Sequence, residues 1–304
     1  MQLDKTRIGI RERNFGEILD LSLRVVREHA PALALTTAIG AAPFALFHLW
    51  WFAADYNVLV EGEGPDTWYL ATLVSFLVLE IPLAMALTTL YLGRVLFAQQ
   101  SSARALAGDF IRLLPQILFL QGALRFLFVG PALATLVLLD GPARSLVVMP
   151  LLLWLFPFAR WPYLSEVILL ERNPLRQPRG SRKRGLSKLS TWRRSWNLHA
   201  LNIGELLLRW FISIAVAGIL VGGMWTSIFY LRQFLLAETL FDRAMVSLYL
   251  QLVVWATTTY FTVVRFLSYL DLRIRTEGWE IELKMRAEAA RLAGQLSLSE
   301  TIIG

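Results

Sequence analysis

Residues 172–202 read RNPLRQPRGSRKRGLSKLSTWRRSWNLHALN, and this stretch decides the fold class. It contains nine Lys or Arg residues and no Asp or Glu. Two apolar runs of membrane-spanning length flank it, at 145–170 and 210–231. Loops with an excess of Lys and Arg next to membrane spans remain on the cytoplasmic side. The stretch therefore predicts a multi-pass membrane protein whose basic loop faces the cytoplasm.

The composition of the chain also indicates a membrane protein. Of its 304 residues 56% are hydrophobic and 17% are charged, whereas soluble domains contain about 25% charged residues. The net charge of +7 does not indicate nucleic acid as a partner, because the basic residues lie in loops beside apolar spans. The chain has no cysteine, which excludes disulfides, thiolate catalysis and cysteine-ligated metals.

Six segments are apolar and long enough to cross a bilayer, which takes about 20 residues. They are 31–54, 67–98, 113–139, 145–170, 204–231 and 244–267. The connecting loops agree with six spans, because the three outer loops together hold three bases and seven acids. This asymmetry predicts a bacterial inner-membrane protein with both termini in the cytoplasm.

Three amphipathic stretches lie outside the predicted spans. Residues 15–29 place their apolar side chains on one helical face, which predicts an interfacial helix within a cytoplasmic N-terminal segment, 1–30. A second stretch lies in the basic loop, 172–203, and a third in the charged C-terminal segment, 271–304. The expected architecture is an all-α polytopic helical membrane protein, with a six-helix transmembrane domain at 31–270.

Two ionisable residues are expected at similar depth in the bilayer. Glu80 lies 13 residues after Thr67, and Arg125 lies 15 residues before Asp140. At about 1.5 Å per residue, both are roughly 20 Å from the outer boundary. We therefore predict a buried Glu80–Arg125 pair between the second and third spans. It serves either as a structural clamp or as a polar site for a proton or a substrate.

The fourth predicted span is interrupted by two prolines, which allows two interpretations. In the first, the helix is kinked, and Arg160 and Glu166 point into the bundle. In the second, the span ends near Arg160, and residues 164–171 lie in the membrane interface. We prefer the second interpretation because it buries no arginine, and it makes Glu166 and Glu171 interface residues.

Two further sets of residues are candidates for packing and for lipid binding. Gly218 and Gly222 form a GxxxG pattern, which predicts a closely packed helix face toward another span or another subunit. Trp192 and Trp196 lie one helical turn apart beside basic residues, a surface-seeking arrangement. The candidates for binding anionic lipid headgroups or phosphate are Arg182, Lys183, Arg184, Arg193 and Arg194.

The sequence contains no pattern that identifies a catalytic centre. Its three histidines, His29, His48 and His199, have no partner at metal-ligand spacing. There is neither a P-loop nor a Gly-x-Ser-x-Gly motif. We therefore predict no catalytic residue, no metal and no cofactor.

Four stretches carry a family resemblance: FGEILD at 15–20, RWPYLSEVILLE at 160–171, RRSWNLH at 193–199, and YLDLRIR at 269–275 followed by EGW at 277–279. The chain resembles a group of largely uncharacterised bacterial multi-pass membrane proteins of a type seen in planctomycetes. These are similar to the membrane domain that accompanies some glycerophosphodiester phosphodiesterases. The resemblance implies the membrane architecture and a cytoplasmic position for the four stretches. It does not imply hydrolysis, which belongs to a separate barrel whose motifs this chain lacks.

Three functions follow as hypotheses. The first is a non-catalytic scaffold or accessory subunit that binds anionic lipid headgroups or a partner protein at its cytoplasmic face. The second is a transporter or lipid-handling protein with a polar site around Glu80 and Arg125. The third is a membrane enzyme that acts on a lipid phosphodiester.

Overall fold

A computed structural model describes residues 13–51, 67–96, 102–139, 162–175, 190–200, 202–236 and 245–277. Within these ranges the regular structure is helical throughout, as the sequence predicts. The helices are α1 (Phe15–Trp51), α2 (Thr67–Ala84), α3 (Ala86–Leu96), α4 (Ala103–Ile117), α5 (Leu124–Leu138), α6 (Leu164–Glu166), α7 (Thr191–His199), α8 (Ile203–Leu236) and α9 (Leu250–Glu277). Three π-helical turns, Leu118–Ala123, Val167–Glu171 and Met245–Tyr249, extend or join them.

Five of the helical stretches are long and apolar enough to cross a membrane. They are Phe15–Trp51, Trp68–Leu96, Ala103–Leu127, Ile203–Leu236 and Ser247–Thr276. This confirms a polytopic helical membrane protein and agrees with five of the six predicted spans. Most of the remaining predicted span, residues 145–161, lies outside the described residues.

The predicted N-terminal helix does not stand apart from the first span. Both belong to α1, which bends at His29 (φ −112°, ψ 17°), two residues before Pro31. Proline lacks an N–H and crowds the preceding turn, which accounts for a bend rather than a straight continuation. The apolar face of the helix, with Ile18 and Val25 buried, packs against α3 and α9. The amphipathic pattern thus reflects packing within the bundle instead of the predicted interfacial position.

The centre of the bundle consists of α1, α3 and α9. Leu33, Leu92, Val263 and Phe266 are almost completely buried between these helices. Hydroxyl groups link the same helices, since Thr37 lies 2.9 Å from Thr259 and 3.4 Å from Thr88. Hydrogen bonds between membrane helices contribute about 0.6 kcal/mol each on average, so these bonds fix the helix register more than they stabilise it.

Close helix packing occurs at a glycine other than the predicted ones. A Cβ at Gly40 of α1 would lie 3.0 Å from the carbonyl carbon of Ala84 and closer still to its oxygen. At Gly218 and Gly222, by contrast, an added Cβ meets no atom within 4 Å. Both positions are exposed in the part of the chain that the structure describes, so the predicted packing face is not used there.

One end of the bundle collects most of the charged side chains. Here α1 and α8 begin, α3 and α9 end, and α6 and α7 pack on them through Tyr163, Val167, Leu198, Leu206 and Leu272. We call this region the charged end. The helix α9 continues to Glu277 without a break, and Asp271 and Leu272 are buried. The predicted boundary at residue 271 therefore falls inside a packed helix.

Candidate functional site

Arg125 compensates a backbone defect in the neighbouring helix. Pro82 of α2 has no N–H, so the carbonyl oxygen of Val78 has no donor from its own helix. A guanidinium nitrogen (Nη1) of Arg125 donates to this oxygen at 3.0 Å. Within a bilayer such a carbonyl must be satisfied by protein, which explains an arginine at this position.

Glu80 pairs with a histidine and not with Arg125. Its carboxylate lies 2.9 Å from Nε2 of His48, and both side chains are buried. The ring of Phe76 lies beside the imidazole, with centroids 5.8 Å apart. The predicted Glu80–Arg125 pair is therefore wrong, because Glu80 faces α1 while Arg125 faces the carbonyl of Val78.

Glu166 points into the bundle. Its side chain is completely buried, and Oε1 accepts a hydrogen bond of 2.6 Å from Nε of Arg265 on α9. Arg125 lies within electrostatic range of both residues. The interfacial position predicted for Glu166 is therefore wrong. The kinked-helix alternative agrees better with its burial, whereas Arg160 lies outside the described residues.

Glu171 connects three segments of the charged end. Arg194 of α7 binds both carboxylate oxygens, at 2.7 and 3.0 Å, and the hydroxyl of Tyr269 donates at 2.7 Å. The Asn173 amide donates at 2.9 Å. Burial by itself raises the pKa of Glu171, but these hydrogen bonds and the charge of Arg273 outweigh it, so that the pKa is lowered. Glu171 is thus a structural junction and not the predicted interface residue.

Asp271 forms a second junction. Its carboxylate accepts hydrogen bonds from Arg209 at 2.9 Å and from the backbone N–H of Arg13 at 2.9 Å. Arg275 lies 3.0 Å from the same carboxylate and also binds Glu205 at 2.8 Å. These contacts join the start of α8 and the residue before α1 to the end of α9.

The basic loop divides into structural and surface residues. Arg172, with a left-handed backbone (φ 52°), pairs with Asp109 of α4. Arg194 is held by Glu171, so its predicted role in lipid binding is wrong, because both of its donor edges are engaged in an ion pair. Arg193 is exposed, and for it the prediction remains. The predicted lipid-binding residues Arg182, Lys183 and Arg184 lie outside the described residues.

The helix α7 presents an aromatic face outward. Trp192 and Trp196 are 44% and 43% exposed, while Thr191, Ser195 and Leu198 on the opposite face are buried. The predicted one-turn spacing of the two indoles is therefore realised on a docked helix. Large exposed aromatic side chains at the end of a membrane bundle are typical of the lipid interface.

His199 is held neutral at the inner side of α7. The backbone N–H of Tyr163 can only donate, so Nε2 of His199, 3.4 Å away, must be the acceptor. Nδ1 then carries the proton and donates to the carbonyl oxygen of Ser195 at 2.6 Å. Burial lowers the pKa of His199 to about 4, and burial also raises the pKa of Tyr163, which stacks on it, to about 12. Both groups are neutral at physiological pH and serve packing.

A groove of about 650 Å³ lies between α8 on one side and α2, α5 and α9 on the other. Most of its wall is apolar, whereas three arginines contribute its charged lining: Arg125, Arg209 and Arg265. No Asp or Glu is among the described residues that line it. The volume lies within the range of ligand-binding cavities, about 300–1,000 Å³. Because α8 packs mainly on α9 and is otherwise largely exposed, the groove has a side that faces the membrane.

Sequence reasoning identified one of the three groove arginines, Arg125, and missed Arg209 and Arg265. A signal existed for both. Arg265 falls inside the predicted span 244–267, where an ionisable side chain is a functional candidate by default, and Arg209 directly precedes the apolar run 210–231. Their importance became visible only when α8 and α9 were placed side by side.

The other candidate chemistries find little support in the described ranges. There, no three His, Asp or Glu side chains converge as ligands for a metal ion. Comparison with protein-family models, with curated proteins and with solved structures found no match. The resemblance to the membrane domain that accompanies glycerophosphodiester phosphodiesterases therefore stays a prediction.

Proposed function

We propose that this protein is a lipid-handling membrane protein that binds an anionic amphiphile in the groove beside α8. The carrying observation is the combination of an apolar wall with Arg125, Arg209 and Arg265 and no described carboxylate lining. An apolar wall at bilayer depth accommodates hydrocarbon chains, and the arginines accommodate a negative headgroup. Of the earlier hypotheses, lipid handling is favoured because the groove reaches Arg125.

The orientation of the groove is part of this proposal. The charged end holds the flanks of the basic loop, Arg172 and Thr191–His199. The excess of Lys and Arg in that loop places the charged end at the cytoplasmic leaflet of the bacterial inner membrane. The headgroup of the amphiphile would then lie at the cytoplasmic side, where anionic lipids attract basic segments.

Filling the groove is expected to remove the bound amphiphile. Ala217 of α8 lines the groove, so Ala217→Phe places a ring where a hydrocarbon chain would lie. We expect the purified full chain, incubated with phosphatidylglycerol and examined by native mass spectrometry, to retain about tenfold less lipid, which corresponds to roughly 1.4 kcal/mol.

Ala215→Phe is the matched control, because Ala215 lies on the same helix, is exposed and does not line the groove. This variant should retain lipid like the unchanged protein. Equal retention by the two phenylalanine variants would contradict lipid binding in the groove.

A second candidate function, docking of the cytoplasmic face on anionic lipid headgroups, is favoured by α7. Its exposed Trp192 and Trp196 flank the exposed Arg193, an arrangement suited to an anionic membrane surface. The docking face is therefore small and aromatic, and does not include Arg194. In this function the protein is a scaffold or accessory subunit without catalysis.

A single cysteine tests this docking, since the chain has none of its own. Asn197→Cys places a polarity-sensitive fluorophore on the exposed side of α7. In vesicles that contain phosphatidylglycerol we expect a blue shift that salt reverses, and no such shift in pure phosphatidylcholine. Adding Trp192→Ala and Trp196→Ala should abolish it. A shift that survives both substitutions would disprove docking through these indoles.

A further inference from the structure

Two groove arginines share a structural feature that the proposed function alone does not require. Arg265 is held through Nε by Glu166, and Arg209 is held through Nη2 by Asp271 and by Glu205 at 2.7 Å. Each of them keeps one buried terminal nitrogen without an acceptor, namely Nη2 of Arg265 and Nη1 of Arg209. Buried donors are normally satisfied, so two such nitrogens on residues that line one groove indicate a missing acceptor.

The carboxylates behind these arginines fix their orientation. Glu166 is completely buried, and Asp271 is 2% exposed, so neither is free to rotate toward solvent. A guanidinium that is bound on one edge presents its other edge in a defined direction. Glu166 and Asp271 thus act as positioning residues, and a ligand need not order the arginines when it binds.

Electrostatics favours an anion as the missing acceptor. Around the end of the groove lie the cations Arg125, Arg209, Arg265 and Arg275, against the anions Glu166, Glu205 and Asp271. The described residues therefore carry one positive charge in excess at this place. An anionic group would balance it and would accept charge-assisted hydrogen bonds.

The spacing of the two nitrogens narrows the chemistry. Arg265 and the Asp271 that holds Arg209 are six residues apart on α9, which corresponds to about 9 Å along the helix axis. The carboxylate of a fatty acid gathers its acceptors in one small group. A phospholipid distributes acceptor oxygens over its phosphate and its ester carbonyls, and so can reach donors that are farther apart.

Building on the proposed function, we propose that the ligand is a bilayer phospholipid, whose phosphate and neighbouring ester oxygens accept hydrogen bonds from Arg209 and Arg265. Its acyl chains lie along the apolar wall formed by residues such as Ile214, Val221 and Val254. The side of the groove that faces the membrane lets the lipid enter from the surrounding leaflet.

Lysine substitutions test the phosphate contact without removing charge. Arg265→Lys and Arg209→Lys each keep a cation for Glu166 or Asp271 but delete the terminal nitrogen that lacks an acceptor. The full chain is incubated with phosphatidylglycerol, with diacylglycerol, which has no phosphate, and with oleate. We expect each lysine variant to lower the retention of phosphatidylglycerol about tenfold and to leave that of diacylglycerol unchanged.

The controls separate this inference from the proposed function. Arg104→Lys changes an exposed arginine that does not line the groove, and it should retain phosphatidylglycerol normally. Oleate retained as well as phosphatidylglycerol, or an unchanged ratio of phosphatidylglycerol to diacylglycerol in both lysine variants, would overturn phosphate recognition alone. Only the failure of Ala217→Phe to lower the retention of any lipid would overturn binding in the groove itself. The two lysine variants are measured singly, so that one folded variant suffices.

Discussion

Substituting alanine for Gly40 is expected to destabilise the bundle by about 3 kcal/mol or more, among the largest effects of any single methyl group in this chain. The added Cβ would overlap the carbonyl group of Ala84, which is backbone and cannot rotate away. The crossing of α1 over the junction of α2 and α3 would have to widen. The change is measured as a lower midpoint when the purified full chain is unfolded by SDS and followed by tryptophan fluorescence.

The matched control for Gly40 is the predicted GxxxG face. Gly218→Ala and Gly222→Ala add the same methyl group where no atom lies within 4 Å. We expect the free energy of unfolding to change by less than about 0.5 kcal/mol, because alanine favours helix and meets no neighbour. A loss as large as that of Gly40→Ala would show that this face packs closely in the folded protein.

The two glycine sites show what a sequence pattern can and cannot predict. A GxxxG spacing shows that two helices are able to approach closely on one face, but not that a partner is present there. Gly40 lies in the segment Thr36–Ala42, TTAIGAA, which is equally rich in small residues. The partner of such a face is decided by which helices become neighbours, and this depends on contacts that are distant in sequence.

The ionisable residues give a second example of this limit. Counting residues from the end of a span gives depth, and the polar side chains of α2 and α5 were indeed predicted within the membrane. Counting does not give the direction in which a side chain leaves its helix. Glu80 therefore met His48 of α1, and Arg125 met the carbonyl that Pro82 leaves unsatisfied. The proline was visible in the sequence, and its need for a donor could have been anticipated.

The basic loop could be predicted as a topological signal but not as a binding surface. A run of cations reads as one patch, whereas the structure assigns Arg172 to Asp109 and Arg194 to Glu171. One of these acids lies more than sixty residues away in sequence, and the other follows a segment whose path was ambiguous. The overall fold was predictable because hydrophobic length decides it. The groove was not, because it arises where α8 and α9 diverge from α2 and α5.

Replacing Asp271 by alanine is expected to cost about 3–5 kcal/mol, because it leaves buried arginines without a counter-charge. Arg209 is 6% exposed and would lose its 2.9 Å ion pair, and the backbone N–H of Arg13 would lose its acceptor. The control is Asp20→Ala, which removes an exposed ion pair with Arg24 of α1. Such surface pairs contribute less than about 1 kcal/mol, so SDS unfolding should separate the two variants clearly.

The double variant Asp271→Ala with Arg209→Met distinguishes the two sources of that loss. If the uncompensated charge dominates, methionine removes it and fills much of the volume of the arginine, and most of the stability returns. If stability does not return, the contacts of Asp271 to Arg13 and Arg275 carry the larger share. Lipid binding should not recover with the fold, because the double variant lacks the Arg209 guanidinium. Restored stability together with normal retention of phosphatidylglycerol would therefore separate the ion-pair network from the lipid site and contradict the role assigned to Arg209.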